Sequence, residues 1–401
     1  MRRIRVVFSI GAMHGGGSER QMVSLLRHLD RALFEPHLYL VYKSGPLLDQ
    51  IPDDVPVVSF DTRVTASRLY LPGLMHSRRV RDYSRFLQEV KADVSYDRTF
   101  LMTLISAAGA QKAGVPNVST IVTNPETGFA PVAGRFQGFK RRMLHRLYNR
   151  SSQVLAVSNG AREAAVRFYG IQPDRIATLL NGVDVEWIQQ QVSLPIHDSW
   201  WTGEKSKPAA SRIFRVVTAG RLNHQKGFHL LISAMAQVRQ TLSDVEFRMA
   251  ILGDGPDREA LQKQIEESNL QDTVRLTGFQ NNAIAWYRSA DVFVLPSLIE
   301  GMPNVLLEAM ACGTAVISTD CQSGPAEILN NGQYGTLIPT DSVSALRDSL
   351  LAAVISSESL QIAALAQTHI ANHWSAKAAA ERLGDVLRRC AAKEDGTPNP
   401  F

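Results

Sequence analysis

The stretch that decides the fold is residues 292–313, which read VFVLPSLIEGMPNVLLEAMACG. A short apolar run at Val292–Leu295 predicts a buried strand, and the helical run after it begins at Pro303, because proline is tolerated in a first helical turn. A strand, a loop and a helix in succession are typical of a parallel sheet covered by helices. Ligands of such sheets sit at the carboxyl ends of the strands, so the loop is where function is expected.

The same alternation extends in both directions along the 401 residues. The predicted strands are Arg5–Ile10, His37–Tyr42, Val55–Phe60, Asp93–Tyr96, Asn117–Val122, Val154–Ser158 and Ile176–Leu180 in the front half, then Phe214–Gly220, Phe247–Leu252, Val274–Thr277, Val292–Leu295, Ala315–Ser318 and Thr336–Ile338. The predicted helices are Ser18–Leu29, Ser77–Val90, Gly160–Tyr169, Gly227–Thr241, Asp257–Ser268, Pro303–Ala311, Ser342–Ser356 and Ala376–Arg389. We therefore predict an α/β protein with two doubly wound, Rossmann-like domains facing a central cleft.

A change in composition and periodicity separates the two halves of the sequence. Residues 189–212 are polar, hold two prolines and show no period, so we interpret them as a linker between domains at 1–188 and 213–373. Residues 374–401 form a last helical segment and a tail, Glu394–Phe401, that we expect to be frayed.

The composition excludes several classes of protein. Apolar residues are 45% and charged residues 20%, which excludes wholesale disorder. Three cysteines cannot make a disulfide scaffold, which indicates a reducing compartment. No apolar run approaches the roughly 18–20 residues of a membrane span, so we expect a cytoplasmic protein, soluble or peripheral on the inner face of the membrane.

The net charge of +5 is unevenly distributed. Residues 1–190 hold 25 Lys and Arg against 16 Asp and Glu, or +9, whereas the remainder holds 18 against 22, or −4. A basic front half favours an anionic partner there, either a membrane surface or a phosphorylated substrate.

Two loops that follow first strands carry candidate phosphate ligands. Gly15-Gly16-Gly17 opens a helix, where backbone amides approach an anion, although a flexible turn explains the glycines equally well. In the second half, Arg221 and Lys226 are five residues apart before a helix and can converge on one diphosphate. The alternative for these two is a solvated basic turn.

The deciding stretch holds the most informative candidates. Its helix start offers the amides of Gly301, Met302 and Asn304, and two carboxylates flank it, Glu300 before the helix and Glu308 inside it. Ionised carboxylates accept hydrogen bonds from the hydroxyls of a sugar or ribose. The alternative is a pair of solvated helix glutamates, but the apolar neighbours of Glu308 disfavour it.

These features resemble the retaining, nucleotide-sugar-dependent glycosyltransferases with the GT-B fold, in the family called glycosyl transferases group 1. The resemblance rests on Lys226, on Glu300 and Glu308, and on Gly253-Asp254-Gly255-Pro256. In the front half it is weaker, and it rests there on the glycine loop, on Val157-Ser158-Asn159 and on Asn181-Gly182-Val183-Asp184.

The resemblance implies a role for each matching residue. Arg221 and Lys226 would hold the donor's diphosphate, Glu300 the transferred sugar and Glu308 the ribose. Arg221, Lys226 and Glu300 are accordingly the expected catalytic residues. Further donor contacts are expected from Gly16, Gly17, Gly253, Gly278, Phe279, Gly301, Met302, Pro303, Asn304 and Val305. The segment Trp374–Arg389 resembles the family's C-terminal helix that crosses back to the first domain.

The implied reaction moves a hexose or N-acetylhexosamine from a nucleotide sugar to a glycan or lipid-linked acceptor in the biosynthesis of surface polysaccharide, such as lipopolysaccharide. A UDP-sugar is the expected donor, because the run Ser323–Leu329 resembles the corresponding segment of family members that build bacterial surface glycans from UDP-sugars. The chain has no Asp-any-Asp triplet, so no metal and no other cofactor are expected, and positive side chains would replace the metal. We nominate no protein nucleophile.

The acceptor side departs from the family pattern. Many relatives place a His after the fifth strand, where this chain reads Thr120–Thr127. Asn124 or Glu126 would occupy that site, and His14 in the glycine loop is a further candidate.

Basic clusters in the front half suggest a further partner. Arg135–Arg150 interleaves cations with Phe136, Phe139 and Leu144, as in an amphipathic helix on an anionic membrane. A solvated basic helix is the equal alternative, and no motif supports nucleic-acid binding.

Three other functions compete with transfer. A sugar-nucleotide epimerase or a catalytically silent sugar-nucleotide-binding protein would share the fold. A nucleotide-cofactor oxidoreductase is disfavoured, because neither glycine-rich loop matches the dinucleotide fingerprint.

Overall fold

The computed structural model describes residues 2–64, 73–204, 212–356 and 358–392. The chain divides into two compact units, Met1–Gly182 with Ala376–Phe401 (unit 1) and Val183–Ser375 (unit 2). The predicted tail at 394–401 and the linker residues 205–211 lie outside the described residues.

The described strands of unit 1 are β1 (Ile4–Ile10), β2 (Phe34–Leu40), β3 (Val57–Ser59), β4 (Val94–Arg98), β5 (Asn117–Ile121), β6 (Gln153–Ala156) and β7 (Ile176–Thr178). All of them pair in parallel, in the order β3-β2-β1-β4-β5-β6-β7. From β1 the chain runs through β2 to β3 at one edge of the sheet. It then crosses back and adds β4 on the other side of β1. The neighbours β1 and β4 therefore form the topological switch point of this sheet.

Helices cover both faces of this sheet. In unit 1 they are α1 (Gly17–His28), α2 (Phe60–Arg63), α3 (Leu74–Glu89), α4 (Phe100–Ala113), α5 (Pro125–Ala133), α6 (Gln137–Tyr148) and α7 (Asn159–Tyr169). Apolar side chains of α1 share a buried core with the inner strands, whereas α3 and α4 pack on the opposite face.

Unit 2 repeats the design with strands β8 (Arg212–Ala219), β9 (Val245–Leu252), β10 (Val274–Gly278), β11 (Val292–Leu295), β12 (Ala315–Thr319) and β13 (Thr336–Ile338). They are parallel in the order β10-β9-β8-β11-β12-β13, so the switch point lies between β8 and β11. Its helices are α8 (Val185–Gln191), α9 (Ser199–Thr202), α10 (Phe228–Thr241), α11 (Arg258–Glu267), α12 (Ala283–Ser289), α13 (Asn304–Ala311), α14 (Pro325–Ile328), α15 (Val343–Ile355) and α16 (Glu358–His373).

The last helix, α17 (Ala376–Ala391), belongs to unit 1, although the sequence reaches it from unit 2. It packs against α1, and its apolar face joins the core through Leu383 and Leu387. Gly384 lies so close to Phe34 that an added Cβ would be 3.1 Å from the ring. The helix that crosses back to the first unit is thus confirmed.

Every predicted strand is present in the described residues, with ends that differ by a few residues. The prediction missed the described helices α2, α4, α5, α8, α9, α12, α14 and α16. Of these, α4 is apolar on nearly all sides because it is buried between layers, so it carries no 3.6-residue period that would reveal it.

The interval 189–212, which we interpreted as a linker, contains structure that packs on unit 2. Its helix α9 places Trp201 in the core, where the indole N–H donates to Ser289 Oγ at 2.8 Å. The predicted domain boundary at 188 falls inside α8, and the division between units follows Gly182.

A buried ion pair fastens this segment to the sheet. The Arg248 guanidinium, 1% exposed, donates to Glu246 Oε1 at 2.6 Å and to the carbonyl oxygens of Gly203 at 2.9 Å and Glu204 at 2.5 Å. The charges of both side chains are compensated only while these partners stay together.

No single helix in the described part of the chain is long and apolar enough to cross a membrane. Among the described residues, the pair α15 and α16 reaches that length and apolarity when taken together, and the two helices are bent by 98° at the break between them.

We expect Arg248→Met to destabilise unit 2 by about 3–5 kcal/mol, because it leaves the Glu246 carboxylate buried without its cation. All five tryptophans lie in unit 2, so urea unfolding followed by tryptophan fluorescence measures this unit selectively. The double variant Glu246→Gln with Arg248→Met should recover part of the loss. If Arg248→Met were as stable as the wild type, the buried ion pair would not hold this segment on the sheet.

Candidate functional site

Two loops meet at the switch point of unit 2. One follows β8 and spans Gly220–Gly227, and the other follows β11 and begins at Pro296. They are tied by the Leu298 N–H, which donates to the Gln225 carbonyl at 2.8 Å.

Gly227 makes this close approach possible. Its φ of +65° is left-handed, and an added Cβ would lie 2.0 Å from the Pro296 carbonyl oxygen. A residue with a side chain would therefore be strained and would push the two loops apart.

The approach of the loops brings Lys226 and Glu300 into direct contact. Lys226 Nζ donates to Glu300 Oε1 at 2.6 Å, and the side chains are 22% and 9% exposed. Ser297 Oγ donates to the same carboxylate oxygen at 2.7 Å, which fixes the rotamer of Glu300. The site thus presents a cation and a carboxylate side by side, as a ligand with both a phosphate and hydroxyls requires.

Sequence reasoning missed Ser297, which holds Glu300. It is fully buried, and its carbonyl accepts from Thr319 Oγ1 at 2.5 Å and from Cys321 Sγ at 2.9 Å. Burial raises the pKa of the Cys321 thiol to about 12, and it does the same for Cys312. Both groups are therefore uncharged thiols at neutral pH and not nucleophiles.

Arg221, the other predicted phosphate ligand, lies on the same loop but takes no part in this contact. It is exposed and makes no ion pair or side-chain hydrogen bond with any described residue. Two buried polar atoms near the loop, Thr218 Oγ1 and Asn223 Oδ1, also have no hydrogen-bond partner among the described residues. Unsatisfied buried polar atoms at the end of a strand are a signature of a ligand site.

The loops after β9 and β10 border the same edge. The Gly253 N–H donates to the Gly278 carbonyl at 2.8 Å, and an added Cβ at Gly253 would lie 2.0 Å from the Gly220 carbonyl oxygen. Phe279 follows Gly278 and is 47% exposed. The structure therefore gathers Gly253, Gly278 and Phe279 beside the loop that holds Arg221.

Helix α13 starts one residue later than predicted, with Pro303 as its N-cap and not in its first turn. Gly301, Met302 and Pro303 are buried, whereas Asn304 and Val305 are partly exposed. Glu308, in the second turn, is only 8% exposed, as expected for a carboxylate with apolar neighbours in sequence.

The run Ser323–Leu329, which the sequence analysis linked to the donor through the family resemblance, packs on this helix start. Gly324 has φ +94°, and an added Cβ would lie 2.7 Å from Pro303 Cδ and 2.9 Å from the Gly301 carbonyl oxygen. The adjacent Ser323 hydroxyl is buried and has no hydrogen-bond partner in the described part of the chain. Since a hydroxyl leaves no mark in a periodic pattern, only the fold reveals it.

In unit 1 the glycine loop differs from the expectation of an open phosphate cradle. Gly16 and Gly17 are exposed and begin α1, but the Glu19 carboxylate folds back over Gly16. An added Cβ at Gly16 would lie 2.5 Å from Glu19 Oε2. A carboxylate of this chain thus covers the helix start that we predicted for a phosphate.

The acceptor-side candidates lie in two segments of unit 1: His14 follows β1, whereas Asn124 and Glu126 follow β5. Asn124 is buried and caps α5, its Oδ1 accepting from the Glu126 N–H at 2.9 Å. The Glu126 carboxylate pairs with Arg167 at 2.9 Å, which holds the pKa of Glu126 below its ordinary value. His14 is exposed, with Nε2 3.4 Å from Ser44 Oγ.

Each of the two units contains a segment that matches the model of a known protein family. Residues 15–187 match the model described as Glycosyltransferase Family 4, and residues 213–355 match the model described as Glycosyl transferases group 1.

Curated relatives of this chain include bacterial glycosyltransferases. The chain is 30% identical over 206 residues to the N-acetylgalactosamine-N,N'-diacetylbacillosaminyl-diphospho-undecaprenol 4-alpha-N-acetylgalactosaminyltransferase of Campylobacter jejuni, covering 51% of each chain. It is 32% identical over 120 residues to the amylovoran biosynthesis glycosyltransferase AmsD of Erwinia amylovora, covering 30% of this chain and 33% of the relative. The chain thus spans about half the length of the first and a third of the second.

Solved structures share the fold over nearly the whole chain. Anabaena HepE, crystallised with UDP-glucose, has a TM-score of 0.79 at 20% identity, covering 96% of this chain and 100% of its own. WaaG, a glycosyltransferase of lipopolysaccharide biosynthesis, has a TM-score of 0.71 at 17% identity, covering 95% and 99%. These matches confirm the predicted GT-B fold.

We expect Gly227→Ala to destabilise unit 2 by about 1–2 kcal/mol through its left-handed backbone, and by about 1–3 kcal/mol more through the clash with Pro296. Gly332→Ala is the matched control, because Gly332 also has positive φ and an added Cβ there would be 3.8 Å from the nearest atom, the Gly335 carbonyl oxygen. Tryptophan-monitored urea unfolding compares the two. Equal losses would show that the approach of the loops is not tight.

Proposed function

Because the chain belongs to the group 1 glycosyltransferases, we propose that it transfers a hexose or N-acetylhexosamine from a UDP-sugar to a lipid-linked or other glycan acceptor in the synthesis of bacterial surface polysaccharide. We propose further that the anomeric configuration is retained and that no metal takes part.

The observation that carries this proposal is the contact between Lys226 and Glu300 at the switch point of unit 2. When the donor's bond from the sugar C1 to the phosphate oxygen breaks, negative charge develops on that oxygen. Lys226 and the exposed Arg221 stabilise this charge, and Glu300 accepts hydrogen bonds from hydroxyls of the transferred sugar. These two cations do the work that a divalent ion does in other glycosyltransferases.

Retention follows from attack on the same face of the sugar that the phosphate leaves. The new bond joins C1 to the acceptor oxygen, and the acceptor's proton passes to the departing phosphate oxygen, so no enzyme nucleophile is required. The engagement of Glu300 by both Lys226 and Ser297 supports this view, because such a carboxylate is a weakened nucleophile.

The names of relatives support the substrate classes. The Campylobacter jejuni protein is named for transfer to a diphospho-undecaprenol-linked sugar, and Anabaena HepE was crystallised with UDP-glucose. A lipid-linked acceptor would lie at a membrane surface.

A surface of unit 1 suits such a membrane. We define the aromatic–basic surface as Phe136 and Phe139, 69% and 66% exposed, with the exposed cations Arg135, Arg142 and Arg146 around α6. Aromatic side chains insert between headgroups while cations bind anionic lipid. We therefore propose a peripheral position on the inner face of the cell membrane.

We expect Lys226→Ala and Glu300→Gln each to lower turnover by about 100- to 1000-fold, since each removes a fixed interaction with the donor. A thermal-shift screen of UDP-, GDP- and ADP-sugars first selects the donor. Nucleotide release then measures the rate, and proton NMR of the product gives its anomeric configuration.

The control is Lys263→Ala, which removes an exposed lysine of unit 2 from a surface ion pair and should leave the rate unchanged. Wild-type rates in both site variants would contradict the assignment of the site. Loss of activity in chelator, restored by manganese, would contradict only its metal independence.

We expect the wild type to float with vesicles of phosphatidylglycerol and phosphatidylcholine at low salt, and not with phosphatidylcholine alone. The double variant Phe136→Ser with Phe139→Ser should reduce the bound fraction by about tenfold or more, because two buried aromatic side chains are lost. Leu360→Ser, at a 65% exposed apolar residue of α16, is the control. Binding unaffected by the double variant would refute the role of this surface.

A further inference from the structure

The two places where the chain enters and leaves unit 2 are joined by their backbones. The chain passes from unit 1 into unit 2 after Gly182 and returns to unit 1 after Ser375. Within unit 2, Val183 and Ser375 form a parallel backbone bridge, and the Val183 N–H donates to the Trp374 carbonyl at 2.7 Å. The position of Trp374 therefore determines whether these two connecting segments stay paired.

A buried tryptophan holds the second of these segments. Trp374 directly follows α16 and is 5% exposed. Its backbone N–H donates to the Ile370 carbonyl at 3.0 Å, and its indole N–H donates to His369 Nε2 at 3.2 Å. An indole nitrogen is a donor and never an acceptor, so His369 Nε2 must carry a lone pair. This hydrogen bond therefore requires a neutral imidazole whose proton lies on Nδ1.

The His369 ring is packed between two other rings. Tyr334 stacks on it with centroids 4.1 Å apart, and His373, one turn further along α16, lies 4.8 Å away. Burial, and after it the charge of His373, lower the pKa of His369. Helix α13 and strand β12 also pack on α16, but no charged group from them acts on this ring among the residues that the structure describes.

We propose that His369 and Trp374 form a pH-sensitive latch on the two connecting segments, closed while the His369 imidazole is neutral and open once it is protonated. On protonation, Nε2 gains an N–H in place of its lone pair. It then faces the indole N–H as one donor against another, and the buried indole N–H is left without an acceptor. The end of α16 loses this anchor, and the carbonyl that accepts from Val183 is no longer held in place.

The direction of the pH dependence follows from the lowered pKa of His369. The unfolded chain takes up this proton near the ordinary value of 6.5, whereas the folded chain takes it up at a lower pH. The latch therefore contributes its full stability above about pH 6.5, and this contribution is lost as the pH falls through the folded value. It is closed at neutral pH and opens on acidification.

A competing explanation is that burial alone holds Trp374. A large buried ring is stabilised by its apolar contacts whatever the charge of its neighbours. The pairing of the two segments would then not depend on pH. The variant His369→Gln separates the two explanations, because a glutamine oxygen accepts a hydrogen bond from the indole N–H and does not titrate.

Amide hydrogen exchange in the full chain measures the pairing directly, since the Val183 N–H exchanges when its bond to the Trp374 carbonyl opens. Protection is followed from about pH 7.5 to about pH 5.5, corrected for the intrinsic exchange rate. We expect wild-type protection at Val183 to fall about three- to tenfold over this range, as for the loss of one hydrogen bond. The amides of β9, within the sheet of unit 2, are the internal reference and should stay within about twofold.

Three variants assign the effect to its groups. His369→Gln should stay protected over the whole range, and Trp374→Phe, which lacks the indole N–H, should be weakly protected throughout. His373→Gln, at an exposed histidine of the same helix, is the matched control. Its protection should still fall, and the fall should begin at higher pH, because a charge that opposes protonation of His369 is gone.

Constant protection at Val183 in the wild type would overturn the inference, as would an equal fall in His369→Gln. A fall that persists in Trp374→Phe would show that the indole N–H plays no part. Circular dichroism identifies a variant that does not fold, and the wild type and His369→Gln then decide. The measurement needs neither donor nor acceptor, so its outcome is independent of the proposed function.

Discussion

The contact between Lys226 and Glu300 depends on the near collision of two backbone segments. Gly227 lies against the Pro296 carbonyl at a distance that no side chain allows, and this fixes the loop after β8 against the loop after β11. Because both loops start from neighbouring parallel strands, the rigid sheet sets their spacing, and the ion pair of 2.6 Å follows from it. Ser297 then orients the carboxylate from within the core. Charge is thereby preorganised before a ligand arrives, which is how a site stabilises a developing anion without reorganising.

Sequence patterns predicted the parts of this design that depend on local chemistry. Apolar β-branched runs predicted every described strand, and the spacing of Glu300 and Glu308 indicated a helix start with two carboxylates. The helix α4 was not predicted, because it is apolar on nearly all sides and therefore lacks the 3.6-residue period of an amphipathic helix. The packing of Trp201 on unit 2 was not predicted, because Arg248, which binds this segment, lies far away in sequence. Without that partner, a polar segment with prolines has the pattern of a linker.

The glycine loop shows a different limit of prediction from sequence: the pattern does not identify which anion lies at the helix start. Three glycines before a helix permit any anion to approach the amides, and the sequence pattern is the same for a bound phosphate and for a carboxylate of the chain itself. In the structure the carboxylate of Glu19, two residues after the last glycine, lies over Gly16. Likewise, Asn124 and Glu126 were predicted from their place after a strand, but the structure shows a helix cap and a partner of Arg167. Position at a sheet edge is a weaker guide than the partner that the side chain finds there.

Overall charge gives a misleading view of the two switch points. The front half is basic by +9, yet its glycine loop presents a carboxylate, and the back half is acidic by −4, yet its corresponding loop presents Lys226 and Arg221. Exposed charges act over only about 8–10 Å in physiological salt, so the nearest one or two side chains decide what each site attracts. The two sheets are wound in the same way, yet the loop after the first strand presents a carboxylate in unit 1 and cations in unit 2.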